Sequence, residues 1–347
     1  YHNSVEEISL LVSTLGLKVK GVVEQKINTI NPAYFIGSGK AKQVIDQAKM
    51  MGVDYIIFDE DLSPVQTKNF QKLNKEIKLL DRPGVILEIF FRNAKSKESK
   101  TQVELARLQY QLPRLTRLWT HLERQMGGFG TRAGAGETQI EVDRRIIRKK
   151  ISLLKKKLKS IDSERQVQSK KRKSFFRTSF VGYTNVGKSS LMKSVTKSDV
   201  LIKNQLFATL DTTVRRLFIG DNNYVLLSDT VGFIRNLPDN LIASFKSTLQ
   251  EVVDSDLLLI VLDANSKDLF NEIETIKSVL KEINANEIDY KYVFNKIDLV
   301  DPEKISYLKQ SFPDSLMVSA TRSLQVSDIK DTIAEKYEEW VSALKNP

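Results

Sequence analysis

The chain has 347 residues and a net charge of +11, with no cysteine and only two histidines, His2 and His121. This composition excludes a disulfide framework, a cysteine metal site and a histidine-rich site, and the length allows two or three domains. No run of residues is apolar for long enough to span a membrane and no signal peptide is present, so we expect a cytoplasmic protein.

Residues 1–98 alternate between patterns that are typical of strands and of helices. The predicted strands are Leu17–Val23, Tyr55–Phe58 and Ile77–Leu80, and the predicted helices are Ala41–Met51 and Pro64–Leu73. This alternation predicts an α/β subdomain with a parallel sheet. Within it, Gly37–Lys40 precedes a helix, and we interpret it as a glycine turn at a helix N-terminus. An ATP site at this turn is the alternative.

Residues 99–173 predict a helical hairpin that resembles a coiled coil. Two heptad seams carry this prediction, one with Leu105, Leu108, Leu112, Leu115, Trp119 and Leu122, the other with Ile147, Ile151, Leu154, Leu158 and Ile161. Pro113 predicts a break in the first helix. The glycine-rich segment 127–136 forms the tip, and its length favours a functional loop, in which Phe129 could stack on a base. A tip without function is the alternative.

The positive charge is concentrated in the second half of this hairpin. Residues 144–173 contain 14 Lys and Arg against two acidic residues, which gives +12, so the rest of the chain sums to −1. Such a local excess indicates a polyanion as partner, although a solvated helix face is the alternative. The candidate RNA contacts are Arg132, Arg144, Arg145, Arg148, Lys149, Lys155, Lys156 and Lys157.

A P-loop pattern, G-x-x-x-x-G-K-[ST], follows a predicted strand at Ser179–Val181 and precedes a predicted helix. Glycines let backbone N–H groups turn toward phosphate oxygens, and the helix adds the positive end of its dipole. The lysine can reach the β- and γ-phosphates, and the serine hydroxyl can bind Mg²⁺. The alternative, a chance match in a loop, is disfavoured by these neighbours. The predicted phosphate-binding residues are Gly182, Tyr183, Thr184, Asn185, Val186, Gly187, Lys188 and Ser189.

Two further segments predict the groups that hold the metal and sense the γ-phosphate. Asp229 ends a predicted strand, where a carboxylate supports Mg²⁺, and Gly232 lets the backbone approach a phosphate. In Leu206–Thr213 a threonine hydroxyl could complete the Mg²⁺ shell, with Thr209, Thr212 and Thr213 as open candidates or as ordinary strand residues. The predicted residues are Phe207, Ala208, Thr209, Leu210, Asp211, Asp229, Thr230, Val231 and Gly232.

A fourth segment predicts guanine recognition. The N-K-x-D motif follows a predicted strand, and the carboxylate of Asp298 can only accept hydrogen bonds. Guanine presents N1–H and an amino group side by side, whereas adenine presents an acceptor at N1, so a carboxylate suits guanine. A backbone N–H of the segment after Leu316–Val318 could close over the base. The predicted residues are Asn295, Lys296, Ile297, Asp298, Ser319, Ala320 and Thr321.

These four segments occur in the order that a Ras-like P-loop GTPase domain with a mostly parallel sheet requires, and we assign that domain to residues 174–347. Many such domains place a glutamine after the D-x-x-G glycine to orient the attacking water. Here Phe233 occupies that position, and a phenyl ring cannot hydrogen-bond to water. We therefore expect slow hydrolysis by the isolated protein and stimulation by a partner.

The run Gly134–Glu141 with Asp143, Arg144 and Arg145, together with the P-loop and the segments Phe207–Asp211 and Asp229–Ile234, resembles the HflX family of ribosome-associated GTPases. The resemblance implies an N-terminal α/β subdomain, a helical hairpin and a GTPase domain. It also implies Mg²⁺ as cofactor and the large ribosomal subunit with its rRNA as partner, and a GTPase that splits ribosomes and is stimulated by them. It favours Thr209 as the Mg²⁺-binding threonine and makes a hydrophobic residue at Phe233 expected.

Many family members continue into a small C-terminal domain, for which we expect no counterpart after the predicted helix Val326–Leu344. We expect a monomer. An RNA-remodelling protein with the GTPase domain as a switch is the alternative function, and a membrane-linked regulator is a third.

Overall fold

The computed structural model describes residues 2–115, 139–172, 174–197, 206–207, 210–220, 223–234 and 249–345. The chain divides into two compact units. The first contains Tyr1–Arg92 and Lys100–Ser160, and the second contains Asn93–Ser99 and Ile161–Pro347. The division into segments 1–98, 99–173 and 174–347 stays a prediction.

The N-terminal part of the first unit is a small α/β arrangement, as predicted. Its helices are α1 (His2–Thr14), α2 (Ser38–Met50), α3 (Pro64–Leu73) and α4 (Arg82–Asn93), and its strands are β1 (Tyr55–Ile57) and β2 (Lys78–Leu80). The two strands pair in parallel, which confirms the predicted sheet direction. Helix α3 begins where predicted because Ser63 and Gln66 form a capping box and Pro64 occupies the first turn.

The predicted strand Leu17–Val23 is wrong. These residues form neither helix nor strand, and Val22 is 55% exposed. Alternating residues favour a strand only where a neighbouring strand supplies hydrogen-bond partners, and none of the described strands pairs with this segment. Gly37 is the N-cap of α2, so the glycine turn lies where predicted. The ATP alternative stays a prediction.

The helical hairpin consists of α5 (Lys97–Gln111), a 3₁₀ turn (Leu112–Arg114) and α6 (Gln139–Arg172). The predicted seams meet: Leu105 and Leu108 of α5 pack on Leu154 of α6, and partly buried residues of α6 complete the cluster, namely Ile147, Ile151 and Leu158. The predicted break at Pro113 is confirmed by the 3₁₀ turn. Trp119, Leu122 and the tip 127–136, including Phe129 and Arg132, lie outside the described residues.

A buried ion pair fixes the base of the hairpin in the first unit. Arg114 lies 3.2 Å from the carboxylate of Asp81 and 3.0 Å from that of Asp61, and it also donates a hydrogen bond to the Leu62 carbonyl at 2.6 Å. Tyr110 donates a hydrogen bond to the same Asp81 carboxylate. Burial and the neighbouring Asp81 charge raise the pKa of Tyr110, so its hydroxyl stays a donor.

The second unit contains a six-stranded sheet in the order β4-β5-β3-β6-β7-β8. The strands are β3 (Arg177–Gly182), β4 (Thr213–Gly220), β5 (Asn223–Asp229), β6 (Leu257–Asp263), β7 (Asp289–Asn295) and β8 (Leu316–Met317). Among the described strands of this sheet only β4 and β5 pair in antiparallel fashion, so the predicted, mostly parallel sheet is confirmed. Strand β6 is buried along nearly its whole length, as its apolar sequence predicts.

Five helices accompany this sheet among the described residues from 174 onward, together with a 3₁₀ turn at Ile297–Leu299. They are α7 (Lys188–Thr196), α8 (Gln250–Val253), α9 (Leu269–Glu282), α10 (Pro302–Ser311) and α11 (Val326–Lys345). Trp340 of α11 packs on Phe176, with ring centroids 5.8 Å apart, which ties this helix to the residue before β3. No helix in the described part of the chain is long and apolar enough to cross a membrane.

Candidate nucleotide-binding site

The P-loop connects the carboxyl end of β3 to the first turn of α7, as predicted. Gly187 is the N-cap of α7 with φ = 96°, a left-handed conformation that favours glycine. A Cβ atom at Gly187 would lie 2.2 Å from the side-chain nitrogen of Asn295. The second glycine of the motif therefore serves both the loop conformation and the close approach of Asn295.

Asn295 joins the P-loop to the segment that follows β8. Its side-chain nitrogen donates to the Val186 carbonyl at 2.8 Å, and its side-chain oxygen accepts from the Ala320 N–H at 3.0 Å. The residue is 2% exposed. The structure therefore gives Asn295 a positioning role, and it shows that the Ala320 N–H is already engaged by Asn295. Base contacts from both residues stay predictions.

The rest of the N-K-x-D motif lies at the carboxyl ends of β6 and β7. Lys296 forms an ion pair with Asp263 at 2.7 Å, which joins the motif to β6. Asp298 lies in the 3₁₀ turn Ile297–Leu299 with an exposed side chain. Ser319 is buried, and its hydroxyl accepts a hydrogen bond from the N–H of Arg322, which closes the loop containing Thr321. The exposed carboxylate of Asp298 thus lies in the turn that directly follows β7.

Lys188 is buried, and its ammonium group donates to the carbonyls of Gly182 and Tyr183 at 3.1 and 2.8 Å. Burial lowers the pKa of Lys188 to about 8, and the nearby charge of Asp229 only partly offsets this effect. The ammonium group therefore lies inside the loop, where a phosphate would add to the negative charge that Asp229 supplies.

The lowered pKa predicts that nucleotide binding takes up a proton at alkaline pH. Below pH 8 Lys188 is already charged, so binding needs no proton; above pH 8 it must be protonated to pair with phosphate. We expect the affinity for GDP to fall by about fivefold between pH 8 and pH 9, because the protonated fraction of Lys188 falls from about a half to about a tenth. Calorimetry in buffers of different ionisation enthalpy would measure uptake of up to one proton at pH 9. A Lys188→Arg variant, which stays charged, should show no uptake, and a flat pH profile in the natural protein would contradict the prediction.

Ser189 and Asp229 form an oxygen-rich pair beside the loop. The Ser189 hydroxyl donates to the Asp229 carboxylate at 2.6 Å, and Asp229 is 1% exposed. Hydroxyl and carboxylate oxygens are ligands that suit Mg²⁺. Within the described ranges no group of three or more acidic, histidine or cysteine residues could hold a metal. The pair at the P-loop therefore fits the predicted cofactor.

The segment after Asp229 lies directly on the P-loop. The Phe233 N–H donates to the Gly182 carbonyl at 3.0 Å, and the Thr184 N–H donates to the Phe233 carbonyl at 2.7 Å. A Cβ atom at Gly232 would lie 2.7 Å from Thr184 Cα, so only glycine permits this approach. The Phe233 side chain is 2% exposed. The ring is therefore buried in the protein, and it is the backbone of Phe233 that contacts the loop.

Part of the predicted γ-phosphate-sensing loop is described. Phe207 and Leu210 are buried, whereas Ala208 and Thr209 lie outside the described residues. Asp211 accepts hydrogen bonds from the backbone N–H groups of Lys95 and Ser96 at 3.0 and 3.2 Å. Sequence reasoning missed this contact because its partners are more than 110 residues apart and share no motif or spacing.

The candidate RNA contacts on α6 are mostly exposed, whereas Arg132 lies outside the described residues. Arg144 is half-buried, and the exposed members are Arg145, Arg148, Lys149, Lys155, Lys156 and Lys157. They share α6 with the hydrophobic seam that packs on α5. The helix therefore presents positive charge to solvent while the seam holds it in place.

Three family models match the chain in succession. A model described as GTP-binding GTPase N-terminal matches residues 2–91, one described as GTP-binding GTPase Middle Region matches residues 93–172, and one described as 50S ribosome-binding GTPase matches residues 177–296. Together they match most of residues 2–296.

Similar proteins include the GTPase HflX of Flavobacterium psychrophilum, 48% identical over 85% of this chain and 70% of the relative. The GTPase HflX of Escherichia coli is 40% identical over 96% of this chain and 78% of the relative. Among solved structures, the complex of SsGBP with GDP is 26% identical, with a TM-score of 0.53 over 98% of this chain and 95% of that chain. A GTP-binding protein of Sulfolobus solfataricus in complex with GDP is 25% identical, with a TM-score of 0.51 over 96% of each chain.

Proposed function

This chain belongs to the HflX family of GTPases and hydrolyses GTP, and from that premise we propose that it binds the large ribosomal subunit through its basic helix and splits ribosomes. The observation that carries this proposal is the exposed row of Lys and Arg on α6. The row lies within residues 144–173, which carry a net charge of +12, whereas the residues outside that segment sum to −1. Basic side chains contact the phosphates of RNA and position a protein on it.

We further propose roles for the residues around the nucleotide. The P-loop backbone and Lys188 hold the β- and γ-phosphates, and Asp298 reads the guanine edge. Ser189 and Thr209 would hold Mg²⁺, and Asp229, which accepts a hydrogen bond from the Ser189 hydroxyl, would support the site. When bound, Mg²⁺ would neutralise charge on the phosphate oxygens. Asn295 fixes the position of the P-loop relative to the base-reading motif through its two hydrogen bonds.

The buried ring of Phe233 supports the proposal that GTP hydrolysis depends on a partner. A buried phenyl group cannot orient the attacking water, so the isolated chain lacks the group that glutamine supplies in many other GTPases. We expect single-turnover hydrolysis at about 10⁻⁴–10⁻³ per second without ribosomes, the range of an unstimulated small GTPase. Ribosomes should accelerate it.

Cosedimentation with ribosomes in the presence of GTP, GDP or a non-hydrolysable GTP analogue tests the proposed function. We expect the analogue to give the strongest binding, and sucrose gradients should show ribosomes converted to subunits. Equal binding in the three states would contradict the switch. Hydrolysis faster than about one per second without ribosomes would contradict the dependence on a partner.

A further inference from the structure

Asp263 is the last residue of β6, and it contacts the N-K-x-D motif through both its backbone and its side chain. It lies opposite Asn295 in the parallel pairing of β6 with β7, and the Ala264 N–H donates to the Asn295 carbonyl at 2.9 Å. One carboxylate oxygen of Asp263 accepts the Lys296 ammonium group at 2.7 Å, and the other accepts the Asn265 N–H at 2.9 Å. Asp263 therefore joins the loop after β6 to the residue that follows β7.

Lys296 has a backbone conformation that is unfavourable for a residue with a side chain. Its φ of 63° and ψ of 34° lie in the left-handed region, which glycine adopts readily and lysine does not. Such a conformation persists only where neighbouring contacts hold it. The ion pair with Asp263 is such a contact, and it is partly shielded from water because the two side chains are 26% and 25% exposed. The ion pair therefore helps to hold Lys296 in the left-handed conformation.

The conformation of Lys296 sets the direction of the chain that carries Asp298. The Lys296 carbonyl accepts the Leu299 N–H at 3.0 Å, which closes the 3₁₀ turn, and Asp298 is the middle residue of that turn. A carboxylate that accepts hydrogen bonds from two neighbouring donors of one base must be aligned with both, because a hydrogen bond weakens steeply as its angle decreases. A change at Lys296 would therefore alter the hydrogen bonds that Asp298 can accept.

We propose that Asp263 is a positioning residue for guanine recognition, which acts through Lys296 on the orientation of Asp298. The inference rests on the proposed role of Asp298 in reading the guanine edge. Loss of the Asp263 charge would leave Asp298 present but poorly aligned with the base. The base that measures this alignment is hypoxanthine, because it keeps the N1–H of guanine and lacks the amino group.

The test is the affinity of the full chain for GDP and for inosine diphosphate, measured by competition binding. The variant Asp263→Asn keeps an oxygen for the Asn265 N–H and removes the charge that faces Lys296. We expect it to weaken GDP binding about tenfold and to lower the ratio of GDP to inosine diphosphate affinity about fivefold. A merely structural role would weaken both nucleotides equally and leave the ratio unchanged.

Glycine at position 296 tests the route from Asp263 to Asp298. Glycine adopts the left-handed conformation without help, so the Lys296→Gly variant no longer needs the ion pair to hold the turn. In this background Asp263→Asn should lower the affinity ratio no further, because the two changes act on one interaction. If instead the two effects add, Asp263 does not act through Lys296 and the proposal is overturned.

Asp289→Asn is the matched control, because Asp289 is the first residue of β7 and forms an ion pair with Lys336 at 3.0 Å at the opposite end of the strand. It should leave both affinities unchanged. An unchanged ratio in Asp263→Asn, with a lowered ratio in Asp298→Ala, would overturn the role of Asp263 while keeping Asp298 as the residue that reads guanine. An unchanged ratio in Asp298→Ala would overturn the base-reading assignment and the role of Asp263 with it.

Discussion

The Asp298→Asn variant is expected to lose about 10⁴-fold in affinity for GDP and to prefer xanthine nucleotides. The carboxylate of Asp298 accepts from the guanine N1–H and amino group, whereas an asparagine NH₂ group would face that amino group as a second donor. Xanthine carries a carbonyl oxygen in place of the amino group, so asparagine can donate to it. Competition binding with GDP and xanthosine diphosphate measures the change.

Because the side chain of Asp298 is exposed, this substitution should change base recognition without disturbing the surrounding structure. The side chain is exposed at the end of β7, in the 3₁₀ turn that Asn295 and Lys296 hold in place through Val186, Ala320 and Asp263. Asp301→Asn is the matched control, because Asp301 is an exposed residue three positions further on. It should keep the guanine preference. An Asp298→Asn protein that still prefers guanine would remove Asp298 from base recognition.

Reversing the charge of Lys155, Lys156 and Lys157 to Glu is expected to weaken ribosome binding by about 10²–10³-fold near physiological salt while sparing nucleotide binding. The three side chains are exposed on α6, so their replacement should leave the packing of the hairpin intact. Each lost phosphate contact should also lower the slope of affinity against salt by about one. Cosedimentation over a range of salt concentrations gives both quantities.

The control for this variant carries the same change in net charge elsewhere. Lys267, Lys281 and Lys309 are exposed in the GTPase domain, and their reversal should leave ribosome binding and its salt dependence nearly unchanged. If both triple variants lose affinity equally, net charge rather than α6 determines binding. If neither loses affinity, α6 is not the RNA contact.

Much of the fold follows from local patterns in the sequence. The P-loop lies between β3 and α7 as predicted. It could be predicted because the whole pattern lies within eight consecutive residues. The start of α3 follows from Ser63, Pro64 and Gln66. The same kind of reasoning fails at Leu17–Val23, where the alternation is local but the strand partner that would be needed is absent from the described residues.

The sequence by itself determined the GTPase domain, the preference for guanine and the basic hairpin, because each depends on short motifs or on periodic residues in one segment. Only the tertiary structure decided how these segments hold each other. The sequence predicts a base contact for Asn295, which stays a prediction, and the structure adds that its side chain bridges Val186 and Ala320. The contact of Ser96 with Asp211 had no sequence signal at all. Hydrogen bonds between residues more than 100 positions apart depend on where folding brings two chain segments together, and neither composition nor spacing along the chain records that.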